Sequence, residues 1–316
     1  MNTPTPLAVR PAGTWPAYTC DAILDASERV TWRVEDLIGP GRAPDFQRPF
    51  LPESLARTEA LDFLSGEERR VLNQIRGHDY LYLFGLVEEF ILPFVMDHLR
   101  PALQGDDART RAFLNFAAEE AKHIDLFKRF RAAFLEGFGS HCDVIGPPEV
   151  IAQTILAKHP LAVALVILHI EWMTQRHYQD SILTDTGLDP QFKSLLKHHW
   201  LEEAQHAKLD TLMVQSLAEA CTPAERAAAI DGYLEIGMLL DGGLQQQVRF
   251  DLESLQRATG RTLSPDETVR FLQVQEQAAR WTFLGSGMSH PAFLAVAELV
   301  HPGAAARLEG IAPQFS

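Results

Sequence analysis

The sequence lacks the usual markers of a secreted or membrane-bound protein. Its three cysteines, Cys20, Cys142 and Cys221, lie far apart and form no CxxC pair. Such isolated cysteines are typical of free thiols in a reducing compartment. The N-terminus has no basic start and no continuous apolar stretch, so we expect no export signal. No apolar run reaches the ~18 residues that suggest a membrane span. We therefore expect a cytoplasmic protein that has no membrane partner.

Positive charge is also scarce. The chain has 28 lysine and arginine residues against 42 aspartate and glutamate residues, which gives a formal net charge of −14. This surplus of negative charge argues against nucleic acid or an anionic membrane surface as a partner. Part of the surplus would disappear if some of the carboxylates hold cations.

Signals for β-strands are missing, whereas helix signals recur along the chain. We find no alternating strand pattern, no hairpin dipeptide in context and no solenoid repeat. Ser65 and Glu68 predict a capping box at the start of a helix that runs to about Arg100. Further helix starts are predicted near Asp106 or Asp107, Pro160, Asp189, Thr222, Ser264 and His290.

These signals divide the chain into two parts. Residues 1–60 are rich in proline and threonine and are predicted to form an irregular N-terminal arm. Residues 61–316 are predicted to form a single all-α domain, a helix bundle with additional helices around it. Hydrophobic residues make up 46% and charged residues 22% of the chain, which is the balance of a globular protein with a large core.

A five-residue motif, Glu-Glu-Ala-X-His, occurs twice within long apolar helices. The segment FAAEEAKHIDLF contains Glu120 and His123, and the segment HHWLEEAQH contains Glu203 and His206. Residues three apart share one face of a helix, so each pair can bind one ion. His199 lies one turn before Glu203 on the same face.

The first glutamate of each motif points elsewhere. Adjacent helical residues diverge by about 100°, so only one glutamate of each doublet faces the site. The three-residue spacing to histidine selects Glu120 and Glu203. Glu119 and Glu202 are expected to lie behind the site or at the surface.

Two other apolar helices also carry glutamates. Glu88 and Glu89 occur within LYLFGLVEEFILPFVM, and Glu171 occurs within LAVALVILHIEWM. A lone carboxylate is costly to bury as an anion. No histidine near Glu88 and Glu89 shows which of the two faces inward, so both remain candidates.

The combined pattern is Glu, Glu-x-x-His, Glu, Glu-x-x-His on four successive helices between about residues 65 and 219. It is the ligand set of ferritin-like four-helix bundles with a carboxylate-bridged dimetal site in the core. Two divalent ions would balance four carboxylates. An oxygen-rich set with imidazoles and no thiolates favours iron, with manganese as the alternative. The predicted ligands are Glu88 or Glu89, Glu120, His123, Glu171, Glu203 and His206, with His199 as an additional candidate.

From about Ser65 to Leu217, the order and spacing of these motifs resemble the arylamine N-oxygenases, the family typified by p-aminobenzoate N-oxygenase. In that family a third histidine, one turn ahead of the last Glu-x-x-His, is a seventh protein ligand, and His199 occupies this position. The resemblance implies a di-iron oxygenase that uses O2 and an electron donor to oxidise a small organic substrate. It implies that an aromatic amine is converted to a hydroxylamine, nitroso or nitro product.

Two other functions use the same ligand pattern. An acyl-chain desaturase or hydroxylase is the enzymatic alternative, and a ferritin-like iron-binding protein is the non-enzymatic one. Phe127 occupies the position of the radical tyrosine of ribonucleotide reductase small subunits, which excludes a tyrosyl radical at this position. The additional helices favour an enclosed substrate pocket over simple iron storage.

Several side chains within about two turns of the predicted ligands are candidates for the pocket wall. The aromatic and imidazole candidates are Tyr80, Tyr82, Trp172, His177 and Tyr178. Arg176 and Arg280 are candidates for holding a substrate carboxylate. The long apolar helices are also compatible with a homodimer, although the sequence has no interface signature.

Overall fold

A computed structural model describes residues 13–315 and contains only helices and their connections. Extended pairing within this range is limited to an isolated bridge between Gly39 and Arg42. The predicted all-α fold class is therefore confirmed. In chain order the helices are α1 (Cys20–Ser27), α2 (Val34–Leu37), α3 (Glu53–Ala56), α4 (Gly66–Leu99), α5 (Asp107–Phe138), α6 (Pro148–Leu156), α7 (Pro160–Arg176), α8 (Pro190–Ala220), α9 (Pro223–Thr259), α10 (Pro265–Arg280), α11 (Ser286–Met288), α12 (Pro291–Val300) and α13 (Ala304–Ile311).

The helix starts lie where the capping signals predict them. The Ser65 side chain accepts a hydrogen bond from the Glu68 backbone N–H, and the Glu68 carboxylate accepts one from the Ser65 N–H. The same reciprocal pairs open α9 and α10. Proline occupies the first helical position of α7, α8, α9, α10 and α12, where its missing N–H costs nothing.

Helices α4, α5, α7 and α8 form the central bundle. α4 packs on α5, α7 packs on α8, and α5 also contacts α8. α9 crosses α4 and α7 from outside, and α10 packs on α9. The additional helices therefore cover the bundle, as predicted, and they close the space between α4 and α7.

The segment predicted as an irregular arm is more ordered than expected. Of this segment, residues 1–12 lie outside the described residues, and the remainder contains α1, α2 and α3. α1 packs on α5 and α8. The segment also approaches α4 closely, because a Cβ atom at Gly77 would lie 2.8 Å from the Phe50 Cβ. These short helices are stabilised by packing on the bundle rather than by strong local signals. The division into an arm and one helical domain stays a prediction.

Among residues 13–315, no single helix is long and apolar enough to span a bilayer. The segments Pro265–Met288 and Pro291–Val300 are together long and apolar enough, but the chain bends by 56° between them.

Candidate metal centre

The inner glutamates and the histidines of both motifs meet in the core of the bundle. α4 contributes one of these residues, α5 two, α7 one and α8 three, and each is at most 3% exposed. They are Glu88, Glu120, His123, Glu171, His199, Glu203 and His206.

The two Glu-x-x-His motifs face each other across the bundle. The His206 Nδ1 lies 2.9 Å from the Glu120 Oε1 and 3.2 Å from the Glu203 Oε2. The His123 Nδ1 lies 3.1 Å from the Glu203 Oε1. Each histidine therefore approaches the inner glutamate of the opposite motif, and the donor atoms of α5 and α8 converge on one region.

His199 belongs to the same cluster. Its Nε2 lies 2.8 Å from the Glu203 Oε1 and 3.0 Å from the Glu88 Oε1. The adjacent His198 is half-buried and turns away, with its Nδ1 2.7 Å from the Ser194 backbone oxygen.

The cluster contains two overlapping groups of potential metal ligands. In each group, one donor atom from each of four residues lies within 4.8 Å of the others. The first group is Glu88, His123, His199 and Glu203, and the second is Glu120, His123, Glu203 and His206. Two neighbouring cation positions can be built from these donors, and each group offers two imidazole nitrogens and two carboxylate oxygens.

Glu89, which the sequence left as an alternative to Glu88, is not part of the cluster. Its carboxylate lies 2.6 Å from the Lys128 Nζ, and its side chain is 37% exposed. Since adjacent helical residues diverge by about 100°, the inward position of Glu88 turns Glu89 toward solvent.

The first glutamate of each motif binds the histidine of the other motif. The His123 Nε2 lies 2.8 Å from the Glu202 Oε2, and the His206 Nε2 lies 2.9 Å from the Glu119 Oε2. A carboxylate that accepts the outer N–H of a histidine fixes its ring and tautomer, which leaves the other nitrogen free to bind a metal. This crossed arrangement explains why each motif contains two glutamates.

The two outer glutamates have different second partners. Glu119 accepts a hydrogen bond from the Ser27 hydroxyl, and Glu202 accepts one from the Lys122 ammonium. Trp32 stacks on the His123 ring with a centroid separation of 5.9 Å, and the Lys122 Nζ lies 4.0 Å from a Trp32 ring centroid. The N-terminal segment therefore completes the layer behind the cluster.

Asp210 is a buried carboxylate that the sequence reasoning missed. It lies one turn after His206 and is 0% exposed. Neither of its oxygens has a hydrogen-bond partner among the described residues. Burial raises the pKa of Asp210 well above its usual value, and Glu120 and Glu203 raise it further. The signal was its spacing, because Glu203, His206 and Asp210 share one helical face.

Burial and mutual repulsion make the cluster hold protons when no cation is bound. Burial raises the pKa of Glu88 to about 8, and the charge of Glu120 adds to this effect. The pKa of Glu171 is raised well above its usual value by burial and by Glu203. Burial disfavours the charged form of His206, but Glu203 and Glu120 outweigh it and raise the pKa of His206 well above its usual value.

Several buried oxygen and nitrogen atoms of the cluster make no well-directed hydrogen bond among the described residues, although some lie 2.8 to 3.1 Å from another atom of the cluster. They are the Glu88 Oε2, both oxygens of Glu120, the His123 Nδ1, the Glu171 Oε2 and the Glu203 Oε1. Buried polar atoms are normally hydrogen-bonded, so an unpartnered group of this kind needs another explanation. Four carboxylates and three imidazoles that converge without a lysine or arginine among them match two divalent ions such as iron or manganese.

An apolar cavity of about 360 Å³ lies between α4, α6, α7 and α9, next to the cluster. None of the seven pocket candidates from the sequence is part of its wall. The aromatic candidates are held in other contacts: Tyr80 hydrogen-bonds His177, Tyr82 hydrogen-bonds the Ile145 backbone oxygen, Trp172 stacks on His290, and Tyr178 stacks on Trp200.

The two arginine candidates are also paired elsewhere. Arg176 donates to the Ser286 backbone oxygen at 2.6 Å and to the Ser289 hydroxyl at 2.9 Å. Arg280 binds both oxygens of Asp241, at 2.5 and 2.9 Å. None of these side chains lines the apolar cavity, because proximity along a helix does not show which face a side chain occupies. Their contact with a substrate stays a prediction.

Comparison with known proteins gives one family match. The family model described as P-aminobenzoate N-oxygenase AurF matches residues 21–241. No curated protein matches the chain.

Solved structures provide distant matches. The R2-like ligand-binding oxidase with an aerobically reconstituted Mn/Fe cofactor is 15% identical, with a TM-score of 0.43, over 83% of this chain and 93% of that chain. A variant of that oxidase with an anaerobically reconstituted Mn/Fe cofactor is 15% identical, with a TM-score of 0.44, over 86% of this chain and 92% of that chain.

Proposed function

The chain belongs to the p-aminobenzoate N-oxygenase AurF family, which makes it an O2-dependent oxidoreductase, and we propose that it N-oxygenates a small aromatic amine at a di-iron centre. The observation that carries this proposal is the buried cluster of four carboxylates and three imidazoles with unpartnered donor atoms. This donor set suits iron, with manganese as the alternative.

The proposed metal ligands come from all four helices of the bundle. Glu88 is selected over Glu89 because it is buried beside His199 and His123. His199 is included because its Nε2 lies among the carboxylate oxygens of the cluster. The complete set is Glu88, Glu120, His123, Glu171, His199, Glu203 and His206.

The reaction needs a reductant in addition to O2. One oxygen atom is added to the amine nitrogen and the other leaves as water, with two electrons and two protons taken from an external donor. Bound iron supplies the redox chemistry that activates O2. Glu119 and Glu202 hold the two histidine rings by their outer nitrogens. Asp210 is buried beside the cluster and burial raises its pKa, so it is placed to hold a proton away from bulk water.

The surroundings of the cluster exclude water. The side wall is formed by aromatic rings, since Phe84 and Phe127 contact His199 edge-on and Phe116 contacts His206. A dry site limits unproductive discharge of an activated oxidant and strengthens electrostatic interactions within it.

The test is turnover with labelled oxygen. Full-length protein loaded anaerobically with iron and reduced should, on addition of ¹⁸O₂, place ¹⁸O on the nitrogen of a small aromatic amine. The variant Glu171→Gln should lose iron and product together, whereas Glu89→Gln, at the solvent-facing neighbour of Glu88, should keep both. Product formation by the metal-free protein would contradict the proposal.

The apolar wall of the cavity also suits a second candidate, oxidation of a short acyl chain. The same preparation is therefore offered an acyl thioester. If the thioester loses two hydrogens or gains a hydroxyl while every amine remains unchanged, the desaturase or hydroxylase function replaces the N-oxygenase. If neither substrate reacts and iron accumulates beyond two ions per chain, the protein is an iron-binding protein.

A further inference from the structure

The cavity next to the cluster has an almost wholly apolar wall. We propose that it holds the non-reacting part of the substrate and selects uncharged, apolar aromatic amines over amines that carry a carboxylate. This inference rests on the proposed N-oxygenation, because it names the substrate class of that reaction.

Two side chains that line the cavity also lie beside residues of the cluster. Phe84, which lines the cavity, lies one turn before Glu88, and its ring centroid is 5.4 Å from that of His199. Ile170, on the facing helix α7, also lines the cavity and directly precedes Glu171. A molecule that fills the cavity therefore has its inner end against the side chains that flank the cluster.

The wall offers nothing that could replace the hydration of an anion. Among the described residues that line the cavity, none has a charged side chain, and Thr154 alone has a polar one. The Thr154 hydroxyl already donates to the Val150 backbone oxygen at 2.7 Å. A carboxylate in this cavity would lose its water shell without a compensating hydrogen bond or counter-ion, which strongly disfavours its binding.

Two basic side chains that lie close to the cavity through their sequence neighbours or ion-pair partners are already paired. Arg280 is bound by both oxygens of Asp241, which lies between the cavity residues Leu240 and Gly242 in sequence. Lys158, two residues after the end of α6, lies 2.8 Å from the Glu235 carboxylate. Either cation would have to leave a carboxylate partner before it could bind the carboxylate of a substrate.

Size and entrance restrict the substrate further. A volume of about 360 Å³ lies near the lower end of the ~300–1,000 Å³ range of small-molecule sites, so it suits a single ring with short substituents. Val150 is 56% exposed and Leu239 is 43% exposed, so the entrance is apolar as well.

The test compares two amines of the same shape, 4-isopropylaniline and 4-aminobenzoate. Isothermal titration calorimetry on the full-length protein, with and without iron, measures binding without turnover. We expect 4-isopropylaniline to bind at least about 100-fold more tightly, since the carboxylate is desolvated without a partner. Equal or tighter binding of 4-aminobenzoate would overturn the inference.

Two matched variants test the role of the wall. One adds a positive charge to the cavity wall, and the control adds it to an exposed neighbour outside the wall. Thr154→Arg adds a guanidinium to the cavity wall, whereas Gln153→Arg adds the same charge at an exposed neighbour on α6 that does not line the cavity. Thr154→Arg should narrow the preference for 4-isopropylaniline at least about tenfold by strengthening the binding of 4-aminobenzoate. An equal effect of both variants would show that the cavity wall does not set the selectivity.

The binding and turnover results separate this inference from the proposed function. If 4-isopropylaniline binds selectively but iron-loaded protein leaves its nitrogen unoxidised, the cavity inference holds and N-oxygenation fails for this substrate class. If both amines bind equally and both are N-oxygenated, the function holds and the selectivity is wrong.

Discussion

Two adjacent histidines on α8, His198 and His199, differ in their burial and in their contacts. His199 is 2% exposed and lies among the carboxylates of Glu88 and Glu203. His198 is half-buried, contacts Trp32 edge-on and approaches the Ser194 backbone oxygen. They therefore form a natural comparison for the contribution of the third imidazole.

We predict that His199→Ala leaves a folded protein that still binds iron but has an altered visible spectrum. Amine oxidation should fall by about 10–100-fold or more, the loss typical when metal-site support is removed. His198→Ala should stay within about threefold of the unchanged protein, since it removes a half-buried side chain that points away from the cluster. Iron content, the visible spectrum and product yield measured on the same samples check this. If His199→Ala oxidises the amine at the wild-type rate, His199 is not a metal ligand.

At the residue scale, the sequence identifies a ligand where a second ligand on the same helix shows which helical face points toward the site. Glu120 and Glu203 were selected in this way by His123 and His206. The choice between Glu88 and Glu89 could not be made, because it depends on Lys128 of the neighbouring helix. Asp210 was missed because a single aspartate at helical spacing is common on solvent-facing surfaces.

Helices α5 and α8 support each other through their outer glutamates. Glu119 on α5 binds His206 of α8, and Glu202 on α8 binds His123 of α5. The outer glutamate of each motif therefore orients the histidine of the other helix rather than the histidine of its own motif. The metal centre thus depends on the register of these two helices as well as on the presence of its ligands.

We predict that Glu119→Gln and Glu202→Gln each lower iron affinity by about 10–100-fold, because a neutral amide holds an imidazole N–H less strongly than a carboxylate does. Glu219→Gln, at an exposed glutamate of α8, is the matched control and should leave the affinity unchanged. Competition with a chelator of known affinity measures the three variants. Unchanged affinity in both Glu119→Gln and Glu202→Gln would show that the crossed contacts do not support the ligands.

At the element scale, the long helices were predictable from local signals and the short ones were not. Ser65, Thr222 and Ser264 mark their helices by caps that involve neighbouring residues only. α2 and α3 have four residues each, too few to be stable alone, so packing on the bundle determines them. For the same reason, the roles of Ser27 and Trp32 could not be derived from the sequence.

The protein as a whole carries a large negative charge and buries part of it in the cluster. The metal-free cluster reduces this cost by binding protons, as the raised pKa values of Glu88 and Glu171 indicate. The pKa values of His123 and His206 are also raised, because the neighbouring glutamates outweigh the effect of burial. Metal ions and protons therefore compete for the same side chains.

We predict that iron uptake releases protons and that iron affinity rises with pH between about 6 and 8, since ligands must be deprotonated to bind metal. The sign follows from the raised pKa values, which shift these groups toward their protonated forms when metal is absent. Titration calorimetry in buffers of different ionisation enthalpy counts the protons. Glu89→Gln, which lies outside the cluster and should keep its iron, should release the same number of protons as the unchanged chain. Uptake without proton release would contradict this competition.

The overall architecture followed from the order of the four ligand-bearing helices, whereas the cavity did not. Its wall combines Phe84 of α4 and Ile170 of α7 with Leu239 and Leu240 of α9, which lies outside the motif-bearing region. The position of α9 across α4 and α7 is a tertiary arrangement that no local signal specifies. Tyr80 and His177 were selected by distance along the chain, but their side chains hydrogen-bond to each other and do not line the cavity.

The burial of the cluster also determines how slowly its ions are exchanged. Glu120 and His123 have no exposed surface, and the other proposed ligands are at most 3% exposed. A chelator in solution cannot reach a bound ion until helices of the bundle separate, so the rate of that opening limits the rate of exchange. Iron loading and chelator competition therefore have to be followed until the signal no longer changes, because slow exchange would otherwise be read as tight binding.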